Sequence, residues 1–519
     1  MSHIRFHFYV LTLTAAAVLL FSQCQKDGFI TDSDAKLAFA NDTLSFDTVF
    51  TTIGTATKSI TLYNPHDQAI KVSQVYFKGD TRRFFRLNIN GQTLNGNQDN
   101  SLQNIELWKS DSLHLFIDVN IDPNDSNTPF VVQDTIVFVT NGNEQYLTLL
   151  AWGQNAHFLG RNTPEGEHVA VTQDTTWTND KPYVIFNGII IDSLHTLTID
   201  KGVRVHIYNY GSIVVKGNLV VNGDSWADTT QIVRFQGVRT ENGQPEYVAN
   251  DYLGGVLPDW QQESDYTDIP GQWNGILFFP GSTGNIKGAE LRNGITGILG
   301  SKIFVENNTI FISQAPQINI ENTVIRDMAW NGIQSLGADI TMTNSMIFAC
   351  GINNLKLTLS GNNQFTHNTF ANFSSQHINH RDPICLLDNG NAISETQNLT
   401  DTEAPFKANF YNCIIFGETT REEVISNSFS DATTPYEIGF NNCLFRTDVV
   451  QIDENLFSNC LFNPLATDTV FQRYFDFDFR LNDNSPAINK GSTNTPAPVL
   501  YDITNKARDS QPDIGACEF

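Results

Sequence analysis

No HExxH, GxSxG, CxxC or P-loop pattern occurs in the 519 residues, so the chemistries that announce themselves by those spacings have no foothold here. Positive charge is scarce as well. With 31 Lys and Arg against 56 Asp and Glu, the formal net charge is -25, and most of the surface would repel phosphate backbones. Nucleic acid is thereby excluded as a partner. Long helix-favouring stretches are missing, whereas Asn, Gly, Thr and Phe are plentiful, a bias toward strands and tight turns. A hydrophobic content of 40% is enough for real cores, and the length allows two domains or one domain and a repeat array.

The start of the chain reads as an address. In "MSHIRFHFYVLTLTAAAVLLFSQC" a single charge, Arg5, precedes an apolar run from Phe8 to Phe21, too short and too early for a membrane span and suited to a signal peptide over residues 1–23. "LLFSQC" resembles the lipobox of bacterial lipoproteins, which implies that Cys24 is lipidated and opens the mature chain. Two or three acyl chains on one residue hold a membrane far more firmly than one. The following "QKDG" resembles the short signals that send Bacteroidota lipoproteins to the outer face of the outer membrane. An ordinary cleaved signal with an incidental Cys24 is the alternative.

After a linker over residues 24–36, residues 37–157 alternate apolar and polar in short runs such as "KSITLYNP", "DSLHLFIDVNI" and "DTIVFVTNG". About seven strands, with Asn141-Gly142 as a hairpin turn, predict an antiparallel β-sandwich. "LSFDTVFTTIGTATKSITLYNP" resembles the immunoglobulin-like N-terminal modules of Bacteroidota surface lipoproteins, which implies a spacer or docking platform.

A different pattern follows. "FYNCII", "FNNCLF" and "FSNCLF" share an apolar residue, any residue, Asn and a small residue, and the same motif recurs around Asn322, Asn344 and, with His in the Asn slot, His367. The steps Asn322 to Asn344 and Asn344 to His367 are 22 and 23 residues. The step from His367 to Asn412 is 45, which reads as two coils with Asn389 of "ICLLDNGN" at the midpoint, and Asn442 and Asn459 complete the series. Coils of about 22 residues returning to one corner predict a parallel β-helix with rungs roughly 4.8 Å apart. Asn tolerates the left-handed backbone of a sharp bend, and its amide is expected to pair with the rungs above and below. The next slot holds Thr323, Ser345, Asn368, Cys413, Cys443 and Cys460. Three readings of its cysteines are open: small reduced residues, a strained disulfide, or a metal site. Cβ atoms one rung apart lie outside disulfide range, and equivalent ladder positions do not converge tetrahedrally.

Residues 158–480 are similar to the right-handed parallel β-helix proteins of the pectin-lyase-like superfamily, on "GQWNGILFFPGSTGNIKGAELRNGITGI" and "ANFYNCIIFG". Residues 481–519, with "SPAINKG" and "PDIGACEF", resemble the closing segment of the choice-of-anchor Q family. Asp502, Arg508, Asp513 and Glu518 fall on its pattern, while Asn505 stands where a Gly is usual. The resulting fold class is all-β, an N-terminal immunoglobulin-like β-sandwich followed by a right-handed parallel β-helix.

Chemistry is harder to find. The superfamily includes polysaccharide lyases and glycoside hydrolases, which need carboxylates holding Ca²⁺ beside a base or paired acids across a cleft. The best polar cluster is His377, His380, Arg381 and Asp382, which could ligate an ion or could be a loop whose Arg and Asp brace the strand "PICLL". A long excursion carries Tyr252, Trp260, Tyr266 and Trp273 among Asp251, Asp259, Asp265 and Asp268. It could stack on sugars and bind Ca²⁺, or it could pack over the solenoid flank. No cofactor or metal is otherwise expected. The leading expectation is a non-catalytic, lipid-anchored surface protein contacting glycans or envelope and host polymers. The alternatives are a polysaccharide lyase or glycoside hydrolase, and a purely structural envelope protein.

Overall fold

The computed structural model describes residues 28–519 apart from 56, 99, 125–126, 128, 165, 239–267, 307–308, 376–377, 379, 381, 390, 395–396, 400–404, 427–435, 449–452 and 465–468. The chain divides into two compact units between Gln154 and Asn155.

Two five-stranded sheets enclose the first unit's core. Alternation places Leu113, Leu115 and Ile117 inward along Ser112–Val119 while their neighbours face out. Asn141 and Gly142 both have positive φ, 51° and 81°, and join Phe130–Thr140 to Asn143–Gln154, as a two-residue hairpin requires. The unit has ten strands, more than the seven expected, because short edge strands such as Ala38–Phe39 and Gln92–Asn95 carry too little alternation to read. Nor is it wholly antiparallel. Asn143–Gln154 also pairs in parallel with Thr43–Phe50, joining the two ends of the unit within one sheet.

The second unit is a parallel β-helix. One coil runs through Gln317–Glu321, Val324–Met328 and Ile333–Leu336 before Asp339–Thr343 begins the next. Each of these strands pairs in parallel with its equivalent one coil on. The first strands of the coils make a ten-stranded sheet, hereafter the first face. The second and third strands, the second and third faces, are hydrogen-bonded into one eighteen-stranded sheet. Ile320, Met342, Phe365, Phe410, Phe440 and Phe457 occupy one inward position on successive coils of the first face. The last four stack as rings, with centroids 4.7, 4.6 and 5.1 Å apart, the rung spacing itself. The aromatic residue ahead of Asn-Cys therefore builds the core.

Asn322, Asn344, His367, Asn412, Asn442 and Asn459 each follow directly on a first-face strand, and all have φ between 50° and 53°. Asn389 departs from this column. It follows Cys385–Asp388, a third-face strand, and is not among the positive-φ residues. Gly361–Thr366 pairs directly with Phe406–Tyr411, so the 45-residue step is one coil with a large insertion. The expected amide ladder is corrected too, because Asn side chains serve mainly another purpose. Backbone bonds carry the column, as in Asn344 N to Thr366 O at 3.1 Å and Asn412 N to Asn441 O at 2.9 Å. The amides instead hold the C-terminal segment: Asn344 Nδ2 donates to Tyr501 O, Asn412 Nδ2 to Ser492 O, and Asn442 Nδ2 to Lys490 O. Only Asn412 also reaches along the column, to His367 Nε2 at 2.9 Å.

Vertical side-chain bonding belongs to the following slot. Thr323 N donates to Ser345 Oγ at 3.0 Å, Ser345 N to Asn368 Oδ1 at 2.9 Å, and Cys413 N to Cys443 Sγ at 3.4 Å. Cys350, Cys385, Cys413, Cys443, Cys460 and Cys517 are all free thiols. Unfolding the unreduced protein should therefore expose six titratable thiols besides Cys24; a count of four would show that two coils are bridged.

The last stacked strand is Leu461–Phe462. The chain then turns back, and Phe471, Phe477, Phe479, Ile503, Ile514 and Ala516 cover the outer side of the second face against Phe348, Ala371, Ile414 and Phe416. Gly515 permits the close approach. Its φ is +105°, its N–H donates to Asn412 O at 2.8 Å, and a Cβ there would lie 2.7 Å from Ile414 Cδ1.

Candidate functional site

With Ile286, Ile320, Met342 and Phe365 turned into the core, the alternate residues of the first face point outward. Asn285, Asn319, Thr341 and Gln364 form one outward column in register over four coils. Beside it run Asn222, Lys287, Glu321, Thr343 and Thr366. Ala497–Asp502 of the C-terminal segment stands along the edge of this face, and the two enclose a groove of about 620 Å³. Leu500 and Tyr501 are 67% and 52% exposed on that wall. Tyr501 is held by the bond from Asn344 and by a bridge to Ala507.

The outward columns of the first face are rich in amides and hydroxyls, while Ala497, Pro498, Val499 and Leu500 make much of the wall apolar. Asn319 Nδ2 donates to Asn285 Oδ1 at 2.9 Å, so neighbouring rungs are already aligned by their side chains. Lys287 and Glu321 neutralise each other across 3.0 Å. Asp502, though on the wall, is turned into the C-terminal segment, where Oδ1 accepts from Thr504 N and Lys506 N and Oδ2 from Glu518 N. Such a surface can hydrogen-bond hydroxyls of a long polar ligand and offer an aromatic ring to its apolar side.

Of the ligand-binding and acid-base candidates singled out from the sequence, the structure describes Asp268, Trp273, His380 and Asp382. Cys24, Tyr252, Trp260, Tyr266, His377 and Arg381 lie outside the described residues, as do Asp251, Asp259 and Asp265. His380 is buried, both ring nitrogens lack a hydrogen-bond partner among the described residues, and burial pushes its pKa down to about 4, so it is a neutral imidazole at pH 7. Asp382 is exposed and contributes its backbone carbonyl to Asn372. Trp273 cannot stack on a ligand. It is fully buried in the helix core, with its indole N–H donating to Arg292 O at 2.8 Å. Asp268 meets Arg326 at 3.0 Å. Among the described residues no group of three or more His, Cys, Asp and Glu side chains is placed to hold a metal.

A charged cluster that no motif announced lies on the outer side of the second face. Glu290 bridges Arg234 at 3.0 Å and Arg326 at 2.9 Å, and Arg326 also contacts Asp268 and Asp327. Burial works to raise the Glu290 carboxyl, but Arg326, Arg292 and Arg234 outweigh it and hold the pKa at about 2. Burial pushes the Asp327 carboxyl the other way, to about 7, against Arg326. Gln236 accepts from Arg292 Nε at 2.8 Å and approaches the His206 ring. Glu290, Arg292, Arg326 and Asp327 are all buried, which makes the cluster a brace of the second face.

The chain matches no protein-family model and no curated protein. Among solved structures it is similar to the catalytic domain of a GH87 α-1,3-glucanase, at 10% identity over 84% of this chain and 97% of that one, with a TM-score of 0.19. It is similar to the catalytic unit of the GH87 α-1,3-glucanase of Streptomyces thermodiastaticus, at 12% identity over 74% and 88%, with a TM-score of 0.16. A family 123 glycoside hydrolase from Clostridium perfringens matches at 9% identity and a TM-score of 0.16 over 23% of this chain, and the match spans about a quarter, 26%, of that protein. The parallel β-helix itself is fixed by the strand register described above.

Proposed function

We propose that the chain is a carbohydrate-directed envelope protein whose groove, between the first face and Ala497–Asp502, holds a glycan. The observation that carries this is the lining: amides and hydroxyls repeated at each rung, with one ion pair that cancels itself and a half-exposed Tyr501 on the wall. Lipidation at Cys24 would tether the chain to the outer membrane with the groove exposed at the cell surface. The N-terminal sandwich would act as an immunoglobulin-like spacer, and residues 481–519 as a closing segment of the choice-of-anchor Q kind. Glycan-array binding by the full chain in detergent tests the reading, and no saccharide above background would sink it. Protease shaving of intact cells tests the address, where complete protection would put the protein on an inner face.

A second reading is hydrolysis of the bound glycan, the kind of activity named for the α-1,3-glucanases among the similar solved structures. α-1,3-Glucan, the polymer in the name of the GH87 neighbours, is the first substrate to assay. Release of reducing sugar that is lost in Asn319→Ala would support it, and no release from any glucan would count against it.

A further inference from the structure

The same groove says more about its ligand, given the glycan reading above. Three features bear on the ligand's charge, direction and repeat. Among the described residues that line the groove Lys287 is the one cationic side chain, and Glu321 engages it at 3.0 Å. Asp224 adds an acidic group at the groove, its Oδ1 accepting from Ser225 N at 2.8 Å, and the whole chain carries -25. A uronate or sulfate would meet no free cation there and would be repelled at long range.

The direction is set by the columns. Asn285, Asn319, Thr341 and Gln364 succeed one another along the helix axis, one per coil, and the Asn319 to Asn285 bond already runs that way. Their separation is the rung spacing of about 4.8 Å, close to the advance of one pyranose along an extended chain. A polymer lying along the axis would present equivalent hydroxyls to equivalent side chains, coil after coil. A ligand running parallel to the strands would cross a single rung and meet the wall at Tyr501 end-on. That wall supplies a ring for the apolar side of one sugar, and Tyr501 is fixed through its carbonyl by Asn344.

We infer that the groove takes an uncharged, linear polysaccharide laid along the helix axis at one sugar per coil, seated on the Asn285, Asn319, Thr341 and Gln364 column with one residue against Tyr501. Titration calorimetry on the full chain tests this, using neutral gluco-oligosaccharides of two to eight units in α-1,3, β-1,3 and β-1,4 linkage, with oligogalacturonates of the same lengths alongside. Affinity for a neutral series should climb with each added sugar until the chain spans the four coils and then level off. Raising the salt concentration tenfold should leave Kd unchanged. Asn319 and Tyr501 are both exposed, so Asn319→Ala and Tyr501→Ala should fold normally and weaken binding roughly tenfold each, the scale of one well-placed contact, about 1.4 kcal/mol.

Preferential binding of the galacturonates, affinity that falls with salt, saturation at a disaccharide, or wild-type binding by both variants would each overturn the inference. In the first three cases a glycan-binding groove would survive. Failure of every saccharide to bind would remove that reading along with the inference.

Discussion

Arg508→Ala should destabilise the β-helix unit by about 3–5 kcal/mol, the cost of leaving a buried charge without its partner. Arg508 and Glu518 are nearly inaccessible, and Nη1 meets Oε2 at 3.0 Å. Arg508 Nη2 also donates to Asn344 Oδ1, Gly515 O and Ala516 O at 2.9, 3.0 and 3.1 Å, tying the corner column to the last residues of the chain. Glu518 is fixed from the other side, its Oε2 accepting from Asp513 N and its own N–H donating to Asp502 Oδ2. Removing the guanidinium strands the Glu518 carboxylate, and several carbonyls lose a donor. The C-terminal segment should then loosen, uncovering Phe348, which is otherwise stacked on Phe477 at 5.5 Å, and with it the outer apolar side of the second face. Urea unfolding and binding of an apolar dye would register both effects. The double variant Arg508→Met with Glu518→Gln removes both members of this buried pair and should recover much of the loss. A single variant as stable as the parent, or a double variant no better than the single, would rule this account out.

How far the sequence reaches depends on whether a constraint is local. The corner column was legible because the left-handed bend selects Asn at a fixed place after an inward apolar residue, and both lie within one hexapeptide. Asn389 imitates that local pattern through Leu387, which does point inward, but it belongs to the third face, where the equivalent places after the strand hold Gly337 and Leu359, with φ of 80° and 79°, and no Asn column forms. A second bend column, Asn293, Asp327 and Ala349 with φ of 65°, 52° and 49°, shares no residue type and so leaves no trace in the sequence. Arg234 and Glu290 are 56 positions apart and Glu290 and Arg326 another 36, with an excursion between them that no repeat length predicts. The groove is less legible still. Its wall comes from residues around 500 and its floor from residues 221–366, joined because the Asn amides turned out to grip the C-terminal segment instead of one another.

The other large effect should appear as pH dependence centred on Glu423. It pairs with Cys385 in register on the third face, a position that points into the core, and it is almost completely buried. Oε1 accepts from Thr447 Oγ1 at 2.6 Å, Arg421 stands 3.9 Å away at the half-exposed edge, and Oε2 has no hydrogen-bond partner among the described residues. Burial pushes the carboxyl up to about 7, against the help of Thr447 and Arg421, and the neighbouring Glu422 is raised as well. A carboxyl raised on folding stabilises the folded state most below its unfolded value. As pH climbs from about 4.5 the unfolded chain ionises and the folded chain does not, so stability falls until pH passes about 7. A rise of this size corresponds to about 3 kcal/mol lost across that window. Glu423→Gln keeps the shape and the acceptor for Thr447 without an ionisable proton. Its urea midpoint should therefore fall less between pH 4.5 and 8.5 and should exceed the parent's at pH 8, with a residual slope from Glu422. Equal slopes in the two proteins would mean that Glu423 ionises as readily folded as unfolded, and the core at the last third-face coil would have to be wetter than its packing allows.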